Sequence, residues 1–297
     1  MGEDIKKVGF IGLGAMGAAI AGQLMDAGYD VVGWNRTRAK GQELVDAGMG
    51  WAATPRDAAA QVDVLFTMLT NTAAVEGATD GPDGILAGLR PGTVWADLST
   101  ISPDASVALS ERVREAGAHF LDTPVSGSPA TLAAGQMSVM VGGERAAYDR
   151  VEQLLHAIGP KVTYIGPNGH AILTKVAINL SLVVSVTAFA EAVTLVEKAG
   201  VDRAAVVDAA LKSVIASPVI GYRAPLLVDD AEVYADVELQ QKDLVLAQEL
   251  GRKLGAAVPT CSAASEMLSA ARSSDLSDRD FLVSVADVYR RMAGVIA

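Results

Sequence analysis

With a single cysteine, Cys261, in 297 residues, the chain can form neither an internal disulfide nor a cysteine-rich metal site. Histidine is nearly as scarce: His119, His156 and His170 are all there are, which argues against a histidine-based zinc site. Positive charge is in deficit. Twenty-four Lys and Arg face 35 Asp and Glu, for a net charge of −11, which argues against nucleic acid or an anionic membrane surface as the main partner. Aromatic residues make up only 5% of the chain while Ala and Gly are plentiful, so tight helix packing is expected. No internal repeat and no low-complexity tract is present. No hydrophobic segment precedes the first strand pattern, so the expected location is cytoplasmic.

The chain does have one long apolar stretch, Gly166 to Val196, around which the rest is organised. It opens with the turn residues Pro167, Asn168 and Gly169, and neither Pro nor Gly occurs from Ala171 to Ala199. That pattern predicts one long helix, apolar on nearly all faces and therefore buried. A membrane span is not expected, because the uncharged run Val176–Ala190 is shorter than the roughly 20 residues required. Lys175 and Asn179 lie four residues apart near the helix start and so share a face. A snorkelling lysine with its ammonium in water is the plain reading of Lys175. A buried lysine beside an amide is the chemical one.

The N-terminal part supplies a nucleotide signature. Lys7–Ile11 reads as a buried strand, followed by Gly12-Leu13-Gly14-Ala15-Met16-Gly17, a helix pattern to Ala27, and a second strand, Asp30–Trp34. A GxGxxG placed between a strand and a helix is far more specific than the same motif alone. Gly12 permits the tight turn, Gly14 admits a pyrophosphate to the backbone, and Gly17 lets helix and strand pack closely. After the second strand, where an NAD site would usually carry an acidic residue, stand Asn35, Arg36 and Thr37, with Arg38 and Lys40 close by. A basic cluster in an acidic protein suits a 2′-phosphate, so NADP is expected over NAD.

Strand and helix patterns go on alternating. Thr54-Pro55 opens a short helix; Val64–Leu69, Thr93–Asp97, His119–Thr123, Ser138–Val141 and Val162–Ile165 read as strands; Ser102-Pro103 opens a further helix. Alternation of this kind predicts a mainly parallel, doubly wound α/β sheet with ligands beyond the carboxyl ends of its strands. Two such ends carry hydroxyls: Asp97-Leu-Ser-Thr100 and Asp122-Thr-Pro-Val-Ser126-Gly127-Ser128. Ser126, Gly127 and Ser128 offer N–H groups and hydroxyls enough to cradle a small carboxylate. Beyond the long helix only helical patterns follow: Asp202 to Ser213, Val237–Leu254, Pro259–Arg272 and Asp278–Ala293, the last with Asp278 as its cap. Ser217-Pro218 and Ala224-Pro225 read as breaks, and Leu282, Val285, Val288 and Met292 as core or subunit contacts. The expected architecture is an N-terminal Rossmann domain over 1–166 and an all-α domain over 167–297 built around one long buried helix, with a cleft between them. The large apolar surface of the helical part suggests a homodimer or homotetramer.

In order and spacing, GFIGLGAMG (Gly9–Gly17), DLSTISP (Asp97–Pro103), DTPVSGS (Asp122–Ser128), GPNG (Gly166–Gly169) with Lys175 and Asn179, and Lys242-Asp243-Leu244 resemble the β-hydroxyacid dehydrogenase family, which includes 3-hydroxyisobutyrate dehydrogenases and glyoxylate/succinic semialdehyde reductases. The resemblance covers nearly the whole chain. It implies that Lys175 is catalytic, that Asn179 binds beside it, and that Ser126 and Gly127 hold the substrate carboxylate. It further implies cofactor contacts at Leu69, Thr70, Thr100 and Lys242. The chain departs from the family pattern at Ala171, Ile172, Ile178, Ser128 and Thr70, which makes the pocket wall more apolar and alters its shape. Together these readings predict hydride transfer between NADP(H) and a small β-hydroxy acid or semialdehyde, with Lys175 as general acid and base and no metal. An imine reductase is the neighbouring alternative, but such relatives commonly lack the lysine. A phosphogluconate oxidase would need a basic cluster in the second half. A non-catalytic NADP-binding module is the alternative from another class.

Overall fold

The computed structural model describes residues 5–229, 233–274 and 279–296. Its backbone forms two compact units, Met1–Lys175 and Val176–Ala297. The first contains β1 (Lys7–Ile11), α1 (Ala15–Asp26), β2 (Asp30–Trp34), a 3-10 turn (Arg38–Gly41), α2 (Gln42–Asp46), β3 (Gly50–Trp51), α3 (Pro55–Ala60), β4 (Val64–Thr67), α4 (Thr72–Thr79) and α5 (Ile85–Gly88). It continues with β5 (Val94–Asp97), α6 (Pro103–Glu115), β6 (His119–Asp122), β7 (Val125–Ser126), α7 (Pro129–Ala133), β8 (Ser138–Gly143), α8 (Arg145–Ile158), β9 (Lys161–Gly166) and the first residues of α9 (His170–Lys198).

One sheet runs in the order β3-β2-β1-β4-β5-β6-β8-β7, with β9 paired to β8. From β3 to β6 every pairing is parallel. Such strands are covered on both faces, which is why Val64–Phe66 and Val94–Ala96 are continuous apolar runs with no alternation. Ile20, Ala21 and Leu24 of α1, and Val151, Leu154, Leu155 and Ile158 of α8, are buried in the same core as Phe10 and Phe66. Each fully buried side chain of that size is worth about 1.5–3 kcal/mol. The strand order reverses direction between β1 and β4. A ligand crevice is expected at that switch point, beyond the strands' carboxyl ends.

The sheet is less uniformly parallel than the alternation suggests, because β8 runs antiparallel to β6 and β7. The strand expected to reach Leu69 ends at Thr67, and Asn71 then caps α4 by accepting the Ala74 N–H. Thr54 and Pro55 start α3 as expected, with the Thr54 hydroxyl accepting the Asp57 N–H.

The second unit holds the rest of α9, α10 (Arg203–Leu211), α11 (Pro218–Arg223), a 3-10 turn (Ala224–Leu227), α12 (Val237–Leu254), α13 (Pro259–Arg272) and α14 (Phe281–Met292). Asp202 caps α10 through Ala205 N–H. Ser217-Pro218 is a helix start and not a break: Ser217 accepts the Ile220 N–H and Pro218 takes the first helical position, where its missing N–H costs nothing. The expected cap Asp278 lies outside the described residues; Asp280 caps α14, accepting the Leu282 N–H. Leu282, Val285 and Val288 are core, whereas Met292 is 73% exposed.

Helix α9 is also less enclosed than its composition implies. Ala171, Ile172, Val176, Val183, Val186, Ala190 and Val193 are buried, but Ala177, Ile178, Ser181, Ser185, Ala188, Ala192 and Leu195 are exposed. The exposed face is mostly Ala and Ser, small side chains that present little apolar area. By length and composition α9 could cross a membrane, but its valine face is packed into the fold.

Candidate active site

The glycine-rich turn is shaped for an anionic ligand. Gly12 has φ +98°, and a Cβ there would collide with the Met68 carbonyl. At Gly17 a Cβ would run into the Gly12 carbonyl, so this glycine closes the turn onto α1. Gly14 is different: a Cβ built on it meets nothing within 4 Å. Its exposed backbone, with Ala15 beside it, opens the N-terminus of α1, where N–H groups and the helix dipole favour phosphate. This cradle fits the pyrophosphate of a dinucleotide.

Asn35 ties the turn to the end of β2. Its Oδ1 accepts the Leu13 N–H at 3.0 Å and its Nδ2 donates to the Thr37 carbonyl at 2.8 Å. A carboxylate could accept the first bond but not donate the second. Arg36, Thr37, Arg38 and Lys40 are exposed beyond it, with the Arg38 guanidinium 4.9 Å from the Trp51 ring centroid.

Across the switch point, Asp97 organises the loops after β4 and β5. The Trp95 indole donates to Thr67 Oγ1, and the Thr67 and Ser99 hydroxyls each donate to Asp97 Oδ1 at 2.6 Å. Ser99 Oγ in turn accepts the Leu69 N–H at 2.9 Å. Leu69, Thr70 and Thr100 therefore stand on loops whose roots share one buried carboxylate. Asp97 Oδ2 is buried and finds no hydrogen-bond partner. Burial raises the Asp97 pKa above 3.8, against the lowering effect of the Ser99 and Thr67 bonds. A raised carboxylate pKa gives stability that is complete below the unfolded value and lost as pH rises through the folded one. Asp97→Asn, which cannot ionise, should therefore gain unfolding free energy relative to wild type as the pH rises above the ordinary aspartate range of about 4. Urea melts in which that difference is constant with pH would contradict this.

The loop Ser126-Gly127-Ser128 leaves β7 with Gly127 at φ +151°. Ser128 is committed to local structure: its N–H donates to Thr131 Oγ1 at 2.6 Å and its hydroxyl oxygen accepts the Thr131 N–H, a capping box for α7. Of the three expected carboxylate ligands, Ser126 and Gly127 are the better presented. Ser126 is partly exposed and Gly127 exposed, while Ser128 is buried.

Asp122, which sequence reading placed only at the head of that motif, holds the start of α9. Its Oδ1 accepts Asn168 Nδ2 and Gly169 N–H, both at 3.0 Å, and its Oδ2 accepts the N–H groups of Ala171 at 3.2 Å and Ile172 at 3.3 Å. Burial raises its pKa and these donors lower it. Lys175 follows within one turn and is 8% exposed. Asn179, one turn further on the same face, is 5% exposed.

In the second unit Asn179 Nδ2 donates to Asp243 Oδ2 at 2.5 Å. Lys242 Nζ is 3.1 Å from Asp243 Oδ1, an ion-pair distance without hydrogen-bond alignment. The sequence reading named Lys242 but overlooked Asp243 as a site residue, although a buried acid on an otherwise amphipathic helix is the available signal. Among the described residues no group of three or more His, Cys, Asp or Glu is placed to hold a metal ion.

Comparisons with known proteins agree with these features. The family model for the NAD binding domain of 6-phosphogluconate dehydrogenase matches residues 7–166, and the model for the NAD-binding domain of NADP-dependent 3-hydroxyisobutyrate dehydrogenase matches residues 169–287. Glyoxylate/succinic semialdehyde reductase 2 of Arabidopsis thaliana is 31% identical over 92% of this chain and 77% of its own length. The 2-(hydroxymethyl)glutarate dehydrogenase of Eubacterium barkeri is 31% identical over 99% and 98%. The crystal structure of 3-hydroxyisobutyrate dehydrogenase from Salmonella typhimurium superposes with a TM-score of 0.87 at 28% identity, over 95% of this chain and 99% of that one. The glycine cradle, the clamped helix and matches spanning both units lead to one conclusion: the chain belongs to the β-hydroxyacid dehydrogenase family of NAD(P)-dependent oxidoreductases.

Proposed function

We propose that the chain is an NADP-dependent oxidoreductase acting on a small β-hydroxy acid or its semialdehyde, with Lys175 as general acid and base. One observation carries this reading. Lys175 is 8% exposed on a helix whose start is fixed by Asp122, where a snorkelling lysine would keep its ammonium in water. When bound, NADP(H) supplies or accepts a hydride at its nicotinamide. Lys175 donates a proton to the substrate carbonyl oxygen during reduction and takes it back during oxidation. With one N–H given to Asp243, Asn179 presents its carbonyl oxygen, an acceptor suited to the Lys175 ammonium or a substrate hydroxyl. Ser126 and Gly127 hold the carboxylate through hydroxyl and backbone N–H groups. Substrates named for the relatives, glyoxylate, a semialdehyde and two β-hydroxy acids, fit this donor set. NADPH consumption on a panel of semialdehydes, glyoxylate and cyclic imines is the test. Turnover confined to imines, or NADPH binding without turnover of any of them, would overturn the assignment.

Arg36, exposed beyond Asn35, is proposed to meet the 2′-phosphate, with Thr37 adding a hydroxyl. Arg36→Ala should lower the ratio of kcat/KM for NADPH over NADH roughly ten- to hundredfold, the worth of one charge-assisted hydrogen bond. A wild-type ratio near one would remove the NADP preference. The exposed face of α9 from Ile178 to Leu195, apolar or small throughout apart from Glu191, supports a homo-oligomer. Sedimentation as a monomer at micromolar concentration would exclude it.

A further inference from the structure

The N–H groups at the start of α9 are all accounted for. Gly169, Ala171 and Ile172 donate to Asp122, and His170 donates to the Pro167 carbonyl; from Leu173, which donates to Gly169, the helix satisfies itself. The positive end of α9 is therefore closed by a carboxylate of the protein and has no donor left for a substrate carboxylate. The clamp is two-sided. Asn168 Nδ2 also donates to the Phe120 carbonyl at 3.0 Å, so this residue, two before the helix, is pinned to β6 twice. The neighbouring strand is cut away to admit it: a Cβ on Gly142 would lie 2.5 Å from Asp122 Oδ2, and one on Gly143 would lie 3.2 Å from Asn168 Nδ2.

We infer that Asp122 is a positioning residue for the reaction: it fixes the axial and rotational setting of α9, and so where the Lys175 amine is delivered. This rests on the function proposed for Lys175. Two acceptor oxygens meet the N–H groups of Gly169, Ala171 and Ile172, donors spread around the first turn, which restrains both translation along and rotation about the helix axis. Lys175 lies three residues past the last clamped N–H, so a shift of the first turn moves its Cα directly. Misplacement of a reacting group by about 1 Å costs on the order of a hundredfold in rate. Asp122 heads the motif DTPVSGS and Gly169 closes GPNG, but nothing in either motif says that they touch.

Two variants of the full chain test this. Asp122→Asn replaces one acceptor with a donor facing N–H groups. Gly142→Ala, at an ordinary backbone conformation, displaces the carboxylate without removing its charge. In both, amide exchange at Gly169, Ala171 and Ile172 should accelerate at least about tenfold, and the rate and pH profile of Lys175 modification by trinitrobenzenesulfonate should change. NADPH affinity should stay within about twofold, and kcat should fall on the order of a hundredfold with its Lys175-dependent limb moved along the pH axis. Unchanged Lys175 labelling, or kcat within about twofold of wild type, in a variant whose helix-start amides exchange faster would overturn the inference. Should Asp122→Asn fail to fold, Asn168→Ala removes that amide's bonds to Asp122 and to the Phe120 carbonyl, leaves the Asp122 carboxylate in place, and is read the same way. A wild-type chain that turns over no substrate would defeat the proposed function, and the exchange and labelling results would still decide the clamp.

Discussion

Lys175→Ala should reduce kcat for carbonyl reduction on the order of 10²–10⁴-fold, the range supplied by a positioned general acid. NADPH should still bind with an affinity close to wild type, because the glycine cradle and the Arg36 segment are built from residues before Arg38. The loss should appear in kcat more than in KM, since an interaction made only as charge develops on the carbonyl oxygen does not hold the ground state. Lys175→Met, which keeps the length and apolar stem but not the proton, separates packing from chemistry: it should be as inactive as alanine and more stable. If the methionine variant keeps turnover within about tenfold of wild type, the proton has another donor and the assignment fails.

A second large effect is expected at the glycine-rich turn, where the three glycines should fail in different ways. Gly14→Ala adds a methyl group to open space at φ −75°, an ordinary value for alanine. Apo stability should change little, yet the methyl occupies the approach to the N-terminus of α1 that a pyrophosphate needs. NADPH affinity should fall roughly ten- to hundredfold, the equivalent of one or more lost charge-assisted hydrogen bonds. Gly17→Ala instead drives a Cβ into the Gly12 carbonyl, so it should destabilise the apo fold by about 1–3 kcal/mol or more. Gly12→Ala adds strain at φ +98° to a collision with the Met68 carbonyl. Calorimetry on the apo proteins with NADPH titration separates the two classes. A Gly14→Ala protein that binds NADPH normally would place the cofactor elsewhere.

Much of this was legible in order along the chain, because the features concerned are local. The strand, glycine turn and helix at Lys7–Asp26 follow from short-range sterics, as do the Thr54-Pro55 and Asp202 helix starts. So does the length of α9, which needs only the absence of Pro and Gly. Helix α8 is legible on the same ground, its buried Ala147, Val151, Leu154 and Ile158 recurring at helical spacing. Composition misleads where size matters: Ala counts as apolar along α9, yet Ala177, Ala188 and Ala192 have too little surface to require burial and lie on the exposed face with Ser181 and Ser185.

What the linear chain determined by itself was the chemistry on offer: a phosphate cradle, a basic post-strand segment, and a lysine and an amide on one helical face. What only the tertiary structure decided was who holds those groups in place. Asp122 lies 47 residues from Gly169, Asp97 lies 30 from Thr67, and Asp243 lies 64 from Asn179. Each is a buried carboxylate whose partner is chosen by strand order or helix packing, and spacing in the sequence carries no trace of such pairings. A buried charge is stable only with donors around it. Those donors arrive from elements that meet only when the sheet and helices assemble.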